Sequence, residues 1–326
     1  MMKTSLISAV ILWTVVCGAA TPEKATSVYQ SSARPRPSSQ LDRIVFAKLS
    51  SLNIRPVLCS DAVFVRRAYL DIIGTLPSAK EARDFIRDTD TKNKRRALID
   101  CLLERDEFAD YWAMKWGDIL RIKAEFPVNL WPNAAQAYHR WVRASIAQNK
   151  PYDKFAREML TSSGSNFRVG PVNFYRAIQN KTPEGTAGTV ALTFMGSRTD
   201  SWPKDLLPGM AVFFSQIGYK LTSEWKEEHV FWEPVKYSAV PGNVAPGRAT
   251  ITTSRQPAPA KDASQPPAVP TTNGAPQTAI FPDRTKIQLP PNRDPREVFA
   301  DWLITPENPW FTRSIVNRVW AWLMGR

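Results

Sequence analysis

The sequence predicts a mainly α fold: a helical domain, a small irregular β and proline-rich segment, and a C-terminal helical pair. Three observations carry this expectation. Apolar residues recur at helical spacing in segment after segment from residue 40 to residue 218, and strand-like alternation is nearly absent before residue 225. The stretch from 241 to 291 then holds eleven prolines. Two helix starts follow it, "DPREVF" and "NPWFTR", each with a capping side chain directly before proline.

The first twenty residues read as a signal peptide. Lys3 is the positive n-region, "SLISAVILWTVV" is an apolar stretch too short to span a bilayer comfortably, and "GAA" before Thr21 offers small residues for cleavage after Ala20. Cys17 raises the alternative of a lipoprotein, but Val16 before it is bulkier than a lipidation site normally takes. The expected product is exported, periplasmic or extracellular, with no transmembrane helix once the signal is removed. Residues 21–39, containing "SSARPRPSS", read as a flexible leader.

Helices begin at residue 40. Leu41, Ile44, Val45, Phe46, Leu49 and Leu52 form one apolar face, and Pro56 follows its end. In "DAVFVRRAYLDIIGTLP", Asp61 is placed to cap and Gly74 to stop, with Phe64, Val65, Ala68 and Ile72 along one side. Ser78 and Glu81 have capping-box spacing at the start of "SAKEARDFIRD". Helical patterns continue through "RRALIDCLLER", "DEFADYWAMKWGDILRI", "NAAQAYHRWVRASIAQN", "YDKFAREMLTSSG", "TPEGTAGTVALTFMG" and "LPGMAVFFSQIG". After residue 229 come short β-prone runs, and "AIFPDRTKIQL" is placed to form one small hairpin. In "DPREVFADWLI" Asp294, Pro295 and Glu297 take the N-cap, N1 and N3 positions, and Asn308 and Pro309 repeat the first two. The helix after Asn308 puts Phe311, Ile315, Val319 and Trp322 on one face, which is expected to pack on the helical domain.

With 43 Lys and Arg against 30 Asp and Glu, the formal net charge is +13, which favours anionic partners. The charge is spread out rather than gathered in a block, so no nucleic-acid partner is expected. An anionic polysaccharide or a cell-envelope protein fits better. Only two histidines exist, and there is no H-E-x-x-H, G-x-S-x-G, phosphate-cradling glycine loop or C-x-x-C-H. Neither a metal nor another cofactor is therefore expected, and no catalytic residue can be named. His139 reads as a partly buried structural residue beside Tyr138 and Trp141. Glu227, Glu228, His229 and Glu233 match no trusted zinc spacing and read as a solvated charged turn.

Tryptophan is abundant, at twelve residues. Trp131, Trp202, Trp225 and Trp232 fall in segments resembling loops or helix starts, where they are candidates for stacking against sugar rings; the competing reading is that they fill the core. Export leaves Cys59 and Cys101, which either pair as a disulfide or serve as two small buried apolar side chains. Cys101 sits on the stripe Ala97, Leu98, Cys101, Leu102.

The segments "FVRRAYLDIIGTLPSAKEARDFI", "YWAMKWGDILRI", "WPNAAQAYHRWVRASIAQNKPYDKFAREML" and "WPKDLLPGMAVFF" resemble a secreted bacterial family, domain of unknown function 1549, a planctomycete cytochrome-associated module. "DPREVFADWLITPENPWFTRSIVNRVWAWLMGR" resembles the domain that normally follows it, domain of unknown function 1553. The resemblance implies a helical domain over 40–237, a proline-rich linker over 238–291, and the N-terminal part of the second domain over 292–326, with its remainder missing. Many members carry C-x-x-C-H between the segments similar to "TFMG" and "WPKDLLPGMAVFF"; here only "SRTDS" stands there, so covalent haem is excluded at that point and the cytochrome association does not carry over.

Three functional classes follow. An exported non-catalytic scaffold or binding module of the cell envelope is favoured by the helical bulk, the tryptophans and the missing catalytic constellation. A hydrolase acting on extracellular polysaccharide would need two carboxylates about 5–10 Å apart in a tryptophan-lined pocket. A redox-associated protein is disfavoured by the missing haem motif.

Overall fold

The computed structural model describes residues 27–234 and 277–325. The expected signal peptide with Cys17, the start of the leader and most of the proline-rich linker lie outside the described residues. Twelve α-helices and five short strands make up the described chain, in agreement with the mainly α expectation. None of these helices is long and apolar enough to cross a membrane. By compactness the chain divides into residues 1–70 with 75–99, and residues 71–74 with 100–326.

The first unit holds α1 (Gln40–Ser51), most of α2 (Asp61–Ile73), α3 (Ala79–Arg87) and the start of α4 (Lys94–Leu103). Both α1 and α3 start with a capping box, Ser39 with Asp42 and the expected Ser78 with Glu81. The Asp42 carboxylate accepts hydrogen bonds from the Ser38 hydroxyl at 2.8 Å and from the Ser38 and Ser39 N–H groups, which hold its pKa down at about 2. Local capping thus defines α1, yet none of its residues is buried, and Leu41 and Ile44 of the predicted apolar face are exposed.

Asp61 does not act as the expected cap. It is the first residue of α2, and Ser60 supplies the carbonyl that Phe64 N–H donates to. Its carboxylate instead meets Lys94 at 2.7 Å and Arg95 at 2.8 Å. Burial pushes the Asp61 pKa up, but those two cations outweigh it and the net direction is down. Phe64 stacks on Phe85 at 5.9 Å, and the Arg95 guanidinium lies 4.6 Å from the Phe64 ring. Arg95 also donates to the Cys59 carbonyl. Among the described residues, Cys59 and Cys101 are both unpaired. Cys59 is half-buried and Cys101 exposed, so the buried apolar reading fails for Cys101, whose neighbour Leu102 takes the core-facing place on α4 instead.

The second unit is built on α5 (Asp106–Leu120), α6 (Pro132–Ala147) and α7 (Tyr152–Thr161). Ala109, Ala113, Trp116 and Leu120 line one face of α5 and are buried, as the helical period requires. Trp112, on the same helix, donates to the Ile72 carbonyl at 3.0 Å. Gly74 ends α2 at φ +73, and a Cβ there would come within 2.3 Å of the Tyr111 ring, so conformation and space both require glycine. Tyr138 of α6 is fully buried, whereas His139 is exposed, because the α6 face that meets the core carries Ala134, Tyr138 and Val142 and turns position 139 outward.

Short helices α8 (Asn173–Arg176), α9 (Pro183–Val190) and α10 (Leu206–Ala211) complete the body, with a wide π-turn, Ala191–Met195, continuing α9. A small antiparallel sheet lies among them, in the order β1 (Gly164–Ser165), β3 (Glu228–Trp232), β2 (Ile217–Leu221). Two of its strands precede residue 225, where strands were not expected. β1 has only two residues, and β2, although Ile217, Tyr219 and Leu221 alternate along it, is a five-residue run whose start was taken up in the helical pattern ending at Gly218 and whose burial does not alternate. The predicted hairpin is present as β4 (Thr278–Ile280) paired with β5 (Lys286–Gln288).

The C-terminal pair forms as predicted, α11 (Pro295–Leu303) capped by Asp294 and α12 (Pro309–Met324) capped by Asn308. Phe311 stacks on Tyr152 at 4.8 Å, and Trp322 meets Trp112 at 5.4 Å and Trp116 at 5.8 Å. Burial of such rings contributes roughly 1.5–3 kcal/mol each. Of the predicted α12 face, Phe311 is buried, Ile315 and Trp322 are partly buried, and Val319 stays exposed.

Candidate functional site

Two of the four candidate stacking residues come together. Trp131 and Trp225 meet edge to face, with ring centroids 5.1 Å apart. Trp131 is held by the loop that precedes α6. Leu130 N–H donates to the Lys123 carbonyl and Trp131 N–H to the Ala124 carbonyl, and the chain turns at Trp131 with φ +66 before Pro132 opens the helix. Trp225 sits in the turn between β2 and β3. That turn is tied down by Glu227, which is 5% exposed and accepts from the hydroxyls of Ser165 and, at 2.7 Å, Thr222. These hydrogen bonds, led by Ser165, lower the Glu227 pKa.

The predicted solvated turn at Glu227, Glu228 and His229 is therefore a partly buried strand start. Only His229 points to solvent. Among the described residues, no group of three or more His, Cys, Asp or Glu side chains could hold a metal ion.

Lys226 completes the surface. Its backbone is left-handed at φ +64, and its Nζ lies 4.7 Å from the Trp131 ring and 5.4 Å from the Trp225 ring. Trp225 is 73% exposed and Phe126, on the opposite loop, 80%. Exposed rings of that size leave apolar area in water that a partner could cover.

Trp131 and Lys226 line a cavity of about 590 Å³ whose wall also includes Phe126, Arg176 and Lys181. Both cations share one carboxylate, Glu228, at 2.6 Å from Arg176 and 3.7 Å from Lys181. Asn166 fixes Glu228 by accepting from its backbone N–H at 3.0 Å. Lys181 also lies 4.5 Å from the Tyr219 ring. Burial and then the Arg176 charge push the Lys181 pKa down, against the pull of Glu228. Burial, with Glu228 nearby, raises the Tyr219 hydroxyl to about 12. That hydroxyl and the Arg176 Nε are buried without a hydrogen-bond partner. The site thus sets three cations, Arg176, Lys181 and Lys226, against the one carboxylate Glu228, and its wall carries no carboxylate.

Of the four candidates only Trp131 lines this cavity; Trp225 reaches it through its contacts with Trp131 and Lys226, and Trp202 and Trp232 lie outside the wall. Each is half-buried and donates its indole N–H to a neighbour, Trp202 to Ser197 at 3.0 Å and Trp232 to Gln216 at 2.6 Å. Sequence reasoning missed Phe126, Arg176, Lys181 and Lys226. Only Lys226, adjacent to Trp225, had a local signal. Arg176 and Lys181 join the site through a carboxylate about fifty residues away, which no local pattern shows.

Two family models match the chain in order: PSCyt2, a protein of unknown function (DUF1549), over residues 40–200, and PSD1, a protein of unknown function (DUF1553), over residues 295–326. Neither a curated protein nor a solved structure matches it. The first match takes in Trp131, Arg176 and Lys181, and Trp225 and Lys226 lie beyond its end. Residues 40–200 therefore match the DUF1549 family, and residues 295–326 match the start of a DUF1553 domain.

Proposed function

We propose that this protein is a non-catalytic binding module of the cell envelope, and that it takes an acidic saccharide in the groove of Trp131, Trp225 and Lys226. The observation that carries this reading is the crossed indole pair with Lys226 near both rings, where Trp131 and Lys226 share a cavity wall with two cations that share one carboxylate. Indole faces accept the apolar faces of sugar rings, and the surplus cations favour an acid group on the same ligand. The cavity wall offers cations, amides and rings but no carboxylate for glycoside cleavage, which supports binding over hydrolysis. The positive n-region, apolar stretch and small-residue site at residues 1–20 support an exported location.

A screen of the mature protein against acidic and neutral glycans tests the reading. Retention of acidic glycans is expected, and equal retention of their neutral counterparts would contradict it. Affinity should also depend on pH with a definite sign. Because the Lys181 pKa lies below the ordinary lysine value of 10.5, affinity should hold at lower pH and decline as pH rises through that lowered pKa. A profile flat up to 10.5 would remove Lys181 from the site.

A further inference from the structure

A second cavity, of about 490 Å³, opens between the π-turn at Ala191–Met195 and α12. Its size falls in the usual range for small-molecule sites. Arg318 projects from α12 into its wall. The guanidinium donates to the Thr193 carbonyl at 3.0 Å and lies 6.0 Å from the Trp116 ring. Among the described residues no carboxylate pairs with it, although burial is enough to push its pKa below the ordinary arginine value. Partly buried charges are normally paired, and an arginine fork has five N–H donors, most of them unused here.

A second group in the same wall is also unsatisfied. Ser314, one turn before Arg318 on the same helix face, is 8% exposed and its hydroxyl has no hydrogen-bond partner. Gly196 closes the π-turn at φ +63, and a Cβ there would stand 3.1 Å from that hydroxyl, so glycine lets the turn approach Ser314 closely. Trp310 and Met195 add an apolar wall beside these polar groups, and Arg313 stands at the exposed rim.

We propose that this cavity binds a small organic carboxylate, with its carboxylate on the Arg318 fork and the Ser314 hydroxyl, and a flat apolar body against Trp310 and Met195. The planar fork matches a carboxylate in two parallel hydrogen bonds, and the indole matches a flat ring.

Isothermal titration of the full mature chain tests this with three probes: benzoate, benzyl alcohol with the same body and no charge, and inorganic phosphate with charge and no body. Benzoate should bind saturably, and each of the other two at least about tenfold more weakly. Arg318→Met should lower benzoate affinity by at least about tenfold, with Arg318→Lys retaining part of it. Ser314→Ala, which leaves the charge and the helix intact, should weaken benzoate by a few-fold, about the effect of one neutral hydrogen bond. No saturable benzoate binding, binding of benzyl alcohol as tight as benzoate, phosphate as tight as benzoate, or benzoate affinity unchanged in Ser314→Ala would each overturn the proposal.

Discussion

Replacing Arg296 with methionine is expected to destabilise the unit that contains it by about 3–5 kcal/mol, the usual effect of breaking a buried pair from one side. Arg296 is 1% exposed. Its Nε and one terminal nitrogen grip Asp294, the closest contact being 2.7 Å. Its other donors reach the Ser162 carbonyl and the Ser163 hydroxyl, both at 3.0 Å, and its guanidinium lies 5.4 Å from the Tyr175 ring. One side chain thereby ties the start of α11 to the end of α7. Methionine would fill much of the volume but leave the Asp294 carboxylate with only its capping bond from the backbone N–H of residue 296, and two further acceptors without their donor. In a unit of this size the loss corresponds to a fall in Tm of roughly 6–20 °C. Thermal unfolding followed by circular dichroism checks it, and a fall below about 2 °C would show that water or a rearranged chain replaces the arginine. Arg296→Lys should lie between the two, because it keeps the charge and loses the fork.

Removing the Trp225 ring should affect binding alone. Trp225→Ala is expected to weaken an acidic oligosaccharide by about thirtyfold, the effect of losing a tryptophan anchor worth about 2 kcal/mol. Because the side chain is 73% exposed and the turn is held by Glu227, thermal stability should stay within about 0.5 kcal/mol of the parent. Titration of both proteins, with unfolding curves recorded alongside, separates the two effects. A large drop in stability would place Trp225 among the packing residues, and unchanged affinity would take it out of the groove.

What could be read from the sequence was local. Ser78 with Glu81, Asp294 with Pro295, and Asn308 with Pro309 mark helix starts because capping is decided within three or four residues, and all three pairs appear where expected. The stripe Ala109, Ala113, Trp116, Leu120 was legible for the same reason. Asp61 looked like a cap by the same local rule but is claimed by Lys94 and Arg95, more than thirty residues on.

The candidate site divides in the same way. Loop positions for Trp131 and Trp225 were readable, but their meeting depends on a turn pinned by Glu227 to Ser165, sixty-two residues earlier in the chain. Nothing local in the sequence separates Arg296 and Arg318 from the other arginines on helices. What sets them apart is burial, and burial of a charge is decided by partners such as Ser162 and Thr193, more than a hundred residues away.

Lys226 and its neighbours are expected to read an acid group on a saccharide held by Trp131 and Trp225. The most direct measurement is titration of the mature protein, and of Lys226→Met, with an oligogalacturonate and with its methyl ester. Binding of the acid, at least tenfold weaker binding of the ester, and a smaller preference in Lys226→Met, where Arg176 and Lys181 remain, is the predicted result, a tenfold step being about 1.4 kcal/mol. Equal affinity for acid and ester, or a preference undiminished in Lys226→Met, would contradict it.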